Sequence, residues 1–171
     1  MRTISITLLL ALCGCAPHFT PLTSKEMEQT VYGDEACYNA LLTAPKAEVC
    51  RLKPSDKVVE SSPEPTYEEG PRIELSGQQS LKLRTILANP ATYSSMAKAC
   101  IPRYGVRFVF LTGSDSVAVN LCFECNILEV MKNGLPVGDA HFDALRPELV
   151  ALCKELFPSD AEIQKLKPSL Y

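Results

Sequence analysis

The chain has 171 residues, 17 Lys and Arg against 20 Asp and Glu, a formal net charge of -3, and 46% hydrophobic residues with no tryptophan. Nucleic-acid binders cluster Lys and Arg, so this mildly acidic balance argues against that class of partner. Apart from the N-terminus there is no long apolar run, and none reaches the roughly 20 residues that a membrane-spanning helix needs.

The first predicted element is an export signal. Met1-Arg2 supplies a positive start, residues 4–12 are dominated by Ile and Leu, and the run is too short to span a bilayer. It leads into Leu12-Cys13-Gly14-Cys15. This Leu-x-Gly-Cys pattern resembles the lipobox of bacterial lipoproteins, although Cys13 stands where Ala, Ser or Thr is commoner. The resemblance implies that residues 1–14 are removed as a signal peptide and that Cys15 carries the lipid and heads the mature chain. Its diacylglyceryl group then holds the protein at a membrane. At about 0.8 kcal/mol per buried methylene, more than one acyl chain is needed for stable attachment. Ala16 replaces the Asp that retains some lipoproteins at the inner membrane, which tilts sorting toward an outer membrane, facing the periplasm. Residues 15–23, with Pro17, His18 and Pro21, read as a tether.

Of eight cysteines, Cys13 leaves with the signal and Cys15 is acylated. Cys37, Cys50, Cys100, Cys122, Cys125 and Cys153 remain, an even set that favours disulfides in an exported chain while leaving their connectivity open.

Residues 24–60 read as a helical arm. Ser24 caps a first helix, Gly33 breaks it, and Asp34 caps a second that runs through Cys37, Leu41 and Leu42 to Pro45. Cys37 and Cys50 bracket that stop and fit a local disulfide worth about 3 kcal/mol. Residues 61–70 form a linker loop with Glu64, Glu68 and Glu69, a solvated charge cluster or a weak Ca²⁺ site.

Residues 71–171 read as the main α+β domain, beginning with a short strand at 72–75. Ser76 and Gln79 form a capping box for a helix whose apolar face is Leu83, Ile86 and Leu87, ended by Asn89-Pro90. A further helical turn points Tyr93, Met96 and Ala97 inward before Cys100 and Pro102. Val106, Phe108 and Phe110 alternate with Arg107, Val109 and Leu111, Gly113-Ser114-Asp115 turns the chain, and Val117, Val119 and Leu121 alternate again. After Cys122-Phe123-Glu124-Cys125-Asn126 comes a third strand at 127–131, closed by Asn133-Gly134. This small antiparallel meander, at about 105–137, is covered by the helices near 78–88 and 144–157. Asp143 caps the latter, and Leu145, Leu149, Leu152 and Leu156 form its apolar stripe. Pro158 ends it, and Ser159-Asp160-Ala161-Glu162 is a second capping box, continued by Ile163 and Leu166.

Cys122-x-x-Cys125 is the one motif that can carry chemistry. Two thiols at this spacing form a redox dithiol, half a metal site, or structural disulfides. Here the pair lies between strands, without the helix N-terminus that activates such thiols in thioredoxin-like enzymes. Asn126 occupies the place of the His that a c-type haem requires. The metal reading draws on Cys100, Cys122, Cys125 and either Cys153 or His141, without the paired spacing of a zinc motif. The structural reading bonds Cys122 or Cys125 to Cys100 or Cys153, while Cys153, beside the Leu stripe, also suits a buried free thiol. His141, between Asp139 and Asp143, reads as a solvated loop residue ahead of a helix. No phosphate loop, nucleophile elbow or His-Glu-x-x-His is present, and no cofactor is indicated.

Cys100-Ile-Pro, Leu121-Cys-Phe-Glu-Cys-Asn126 and a final helix ending Leu156-Phe-Pro158, with Ile163-Gln164 after it, resemble a group of uncharacterised bacterial secreted and lipoprotein sequences. The resemblance covers roughly the last hundred residues and implies no activity. The sequence therefore leads to a non-enzymatic envelope lipoprotein that binds a protein or another envelope component. The alternatives are a thiol-disulfide protein using Cys122 and Cys125, and a metal-binding lipoprotein.

Overall fold

A computed structural model describes residues 23–55, 66–90, 93 and 100–170. The signal segment, Cys15, the tether with His18, the Glu64 part of the loop, and Met96 and Ala97 lie outside the described residues.

Thr23, one residue ahead of the expected Ser24, caps helix α1 (Ser24–Thr30) and forms a reciprocal capping box with Glu26. Asp34 caps α2 (Glu35–Thr43), where the Cys37 N–H donates to its carboxylate at 2.6 Å. The helix stops before Pro45, as expected, but the arm does not continue as helix. Lys46–Pro54 is a strand, β1, paired antiparallel over residues 46–51 with Val106–Thr112, β4. The reason lies in its alternation. Ala47 and Val49 face the helix-covered core, Cys50 faces the other way, and Pro45 prevents the preceding helix from running on.

Part of the expected loop also joins the sheet. Tyr67–Glu69 (β2), from that loop, and Ile73–Glu74 (β3), within the strand expected at 72–75, both pair with the free edge of β1. Glu69 pairs with Arg72 and Arg107, so among the described residues of this loop its carboxylate is neutralised by arginine and is not arranged for Ca²⁺. Helix α3 (Gly77–Leu87) carries the expected capping box of Ser76 and Gln79.

The expected meander is present and longer. Asp115–Cys122 (β5), Ile127–Lys132 (β6) and Leu135–His141 (β7) follow β4, giving an antiparallel seven-stranded sheet ordered β2-β1-β4-β5-β6-β7, with β3 also on β1. Asn133 and Gly134 have φ of 50° and 84°, the left-handed pair that a two-residue hairpin turn requires. His141 is thus the half-buried last residue of β7, opposite Ile127, and not part of a loop.

Helix α4 (Arg146–Leu156) buries Leu149, Leu152 and Leu156 together with Leu145, the expected stripe. Asp143 does not cap it. Residues 142–146 form a turn first, and the Asp143 carboxylate accepts instead from the Asn126 side chain at 2.8 Å. Asp160, not Ser159, caps α5 (Ala161–Gln164).

The helices pack on one face of the sheet over a core that includes Val49, Phe108, Phe110, Val119, Leu121 and Val130. Burying each such side chain contributes roughly 1.5–3 kcal/mol. The N-terminal helices dock closely where glycine permits it. A Cβ on Gly138 of β7 would overlap the Val31 carbonyl, and one on Gly33, at φ +77°, would meet the Val137 oxygen at 2.5 Å.

Candidate functional site

The Cys122-x-x-Cys125 segment runs from the last residue of β5 into a four-residue turn, 123–126, between paired strands. Cys122 closes β5 opposite Ile127, and Asn126 adopts a left-handed φ of 54°. The loop is clamped from behind by Arg146, which is only 4% exposed. Its Nη1 donates to the Phe123 carbonyl and to Asn126 Oδ1, its Nε donates to the Lys167 carbonyl at 2.9 Å, and its guanidinium lies 5.7 Å from the Phe123 ring centre. Phe123 also meets Phe142 edge-on at 5.6 Å. The C-terminal segment after α5 and the loop are thereby fixed to one cation. Burial lowers the guanidinium pKa, and the nearby Asp143 acts in the opposite direction.

Cys125 is bonded to Cys100, with Cα atoms 6.3 Å apart, within the ordinary span of a disulfide. This is one of the pairings that the structural reading allowed. Cys122 is a fully buried free thiol whose Sγ accepts from the Arg103 N–H at 3.2 Å. The expected Cys37–Cys50 bond is absent, because α2 buries Cys37 in the helix-side core while β1 turns Cys50 to the opposite face. Cys153 is a free thiol within the core, under α4. The weak metal candidates are not gathered around one point. Cys100 and Cys125 bond to each other, and among the described residues no three His, Cys, Asp or Glu are placed to hold a metal.

The thiols in the core are built for inertness. Burial pushes Cys37 up to about 11 and Cys153 up to about 12. Burial likewise raises the phenols of Tyr32 and Tyr93, which both hydrogen-bond the Leu87 carbonyl. Groups whose folded pKa is raised contribute stability that is intact below their unfolded values and lost as pH rises through the folded ones. Stability should therefore hold up to about pH 9 and fall as pH rises through about 11 and then about 12, with thiolate absorbance appearing together with loss of tertiary structure. In a variant with Cys50 and Cys122 replaced by Ser, thiolate absorbance that develops near pH 9 in a folded protein would contradict the burial of Cys37 and Cys153.

The other face of the sheet carries the feature that sequence reading missed. Arg107, Asn120 and Glu129 stand directly opposite one another on β4, β5 and β6, forming one polar rung across the face opposite the helices. Arg107 Nε donates to Asn120 Oδ1 at 2.7 Å, and Asn120 Nδ2 donates to Glu129 at 2.9 Å. Arg107 also pairs with Glu69 of β2. Burial raises the Glu69 pKa, but Arg72 and Arg107 more than offset it, and the net shift is downward.

Above this rung lies a groove of about 420 Å³, bounded by Met131, Pro136, Tyr67 and the segment from Cys100 to Tyr104. Its aromatic wall is the tilted Tyr67–Tyr104 pair at 5.8 Å, and the Tyr67 hydroxyl accepts from the Tyr104 N–H and donates to the Pro102 carbonyl. Because that segment begins at Cys100, the disulfide ties the wall of the groove to the clamped loop. The only sequence signal for this face was the outward position of Arg107, Asn120 and Glu129 on successive strands. No family model, curated protein or solved structure matches the chain.

Proposed function

We propose that this chain is an exported lipoprotein, anchored through Cys15, whose domain binds a protein or another envelope component on the face of the sheet opposite the helices, without catalysing a reaction. The observation that carries the reading is the groove over the Arg107–Asn120–Glu129 rung. It combines aromatic and apolar walls with an already paired polar floor, and one wall is held by a disulfide. Concave surfaces of this kind, mostly apolar with a few convergent polar groups, are where ligands are held. The disulfide suits an oxidising compartment, in keeping with the export signal. The lipid at Cys15 places the domain at a membrane, and the Ala16 that follows favours the outer membrane, facing the periplasm.

The test is site-specific photocrosslinking of the full chain in its native envelope. A crosslinker at Met131, in the groove, should give a discrete adduct, and the same group at Lys82, on the exposed part of α3, should not. The adduct should disappear when Tyr104 is replaced by Ala. Equal crosslinking from both positions, or none from Met131, would overturn the binding reading. Retention of the wild-type mature mass by Cys15→Ala would overturn the anchor.

A further inference from the structure

Cys122 stands apart from the other free thiols. Cys37 and Cys153 belong to the main core and Cys50 lies beneath the charges of β2, whereas Cys122 packs with Cys125, Ile127 and Tyr104 in a separate small buried cluster. The segment after Cys100 lies on it, since the Arg103 N–H reaches the Cys122 sulfur and Tyr104 completes the cluster. The Cys100–Cys125 bond and a third sulfur thus occupy one neighbourhood. Cys122 and Cys125 are three residues apart in a strand-to-strand turn, where such residues lie within about 7 Å, close enough for a disulfide. Cys100 is exposed at the groove, while Cys122 has no access to solvent.

We propose that Cys100, Cys122 and Cys125 form a three-sulfur exchange site whose substrate class is the disulfide of an exported protein. The step begins when the segment carrying Arg103 and Tyr104 lifts from Cys122; the thiol then gives its proton to solvent and its thiolate attacks Cys125 Sγ. A Cys122–Cys125 bond forms, the Cys100–Cys125 bond breaks, and Cys100 leaves as a thiolate. Nothing is oxidised or reduced overall. The Cys100 thiolate, at the edge of the groove, then attacks a disulfide of the partner, forming a mixed disulfide and releasing one partner thiolate, which takes up the proton. The partner supplies the only disulfide consumed, and no further oxidant is required. Arg146 is a positioning residue here, since it holds the loop that carries Cys125.

The site goes beyond the binding reading: the exchange ends in a mixed disulfide, a covalent form of binding reached without turnover, and sulfur linkage is measured without any partner, so its failure is distinguishable from failure of that reading. The full lipidated chain, purified in detergent without reductant, is incubated with oxidised glutathione under native conditions, quenched with acid, and mapped by peptide mass. The expected product carries one glutathione on Cys100 and a Cys122–Cys125 bond. Cys122→Ser should retain the Cys100–Cys125 bond and lose glutathionylation of Cys100 by at least about tenfold. A second variant makes the same test without the probe, since Cys100→Ser should contain a Cys122–Cys125 bond when isolated from cells. Wild-type protein that retains only the Cys100–Cys125 bond, glutathione on Cys122, or a Cys100→Ser variant with both Cys122 and Cys125 reduced would each overturn the proposal.

Discussion

Replacing Arg146 by Met should lower the unfolding free energy by about 3–5 kcal/mol, a large share of the stability of a domain this size. Met matches the length and apolar stem of Arg, so lost packing is a minor part of the effect. What is lost is a buried cation whose donors satisfy the Phe123 and Lys167 carbonyls and the Asn126 side chain, and whose charge stands beside Asp143. Removing it leaves acceptors buried without a donor, and each such group costs about 1–3 kcal/mol. Arg146→Lys retains the charge but not the planar fork that reaches several acceptors, and should recover less than half of the loss. Urea denaturation of the three proteins gives the comparison. A Met variant within about 1 kcal/mol of wild type would mean that the clamp has no energetic role.

Cys125→Ala should cost about 3 kcal/mol. The bond to Cys100 closes a loop with a sequence separation of 25, and the chain-entropy model assigns roughly this value to a loop of that length. Cys125 is the informative position because it is the sulfur common to both linkages considered above, and mass mapping of the variant shows whether Cys100 has paired with Cys122 instead. The same loss should appear when the wild-type protein is unfolded in the presence of a reductant. Cys122→Ala, which deletes one small buried group, should cost closer to 1 kcal/mol. If Cys125→Ala and Cys122→Ala proved equally mild, the disulfide would have no stabilising role.

The two effects are linked through the groove. Arg146 fixes the loop, the loop carries Cys125, and Cys125 holds the segment that supplies Tyr104 and, through the Tyr67 hydroxyl, the aromatic wall. Weakening either tie should loosen the groove wall, and the Arg146 tie reaches the main core as well, through Phe123.

The sequence determined those parts of this protein that depend on neighbours along the chain. The alternation at 106–121, the Asn133-Gly134 turn, the Ser76 and Asp34 caps and the Leu145–Leu156 stripe are local patterns, and each is found where local chemistry placed it. So is the α+β class, which follows from a sheet with one apolar face and helices with one apolar stripe. Tertiary structure decided the rest. The Ala47–Leu52 alternation was hidden by the helical signals ahead of it, and only the exposed edge of β4 made it a strand. Asp143 looked like a cap until Asn126, distant in sequence, claimed its carboxylate. Cysteine spacing suggested a bond between Cys37 and Cys50, but the sheet separates them, and it is Cys100 that the fold brings to Cys125. The Arg107–Asn120–Glu129 rung and the Arg146 clamp join residues on different elements. Their roles come from strand register and from burial, which no stretch of sequence encodes alone.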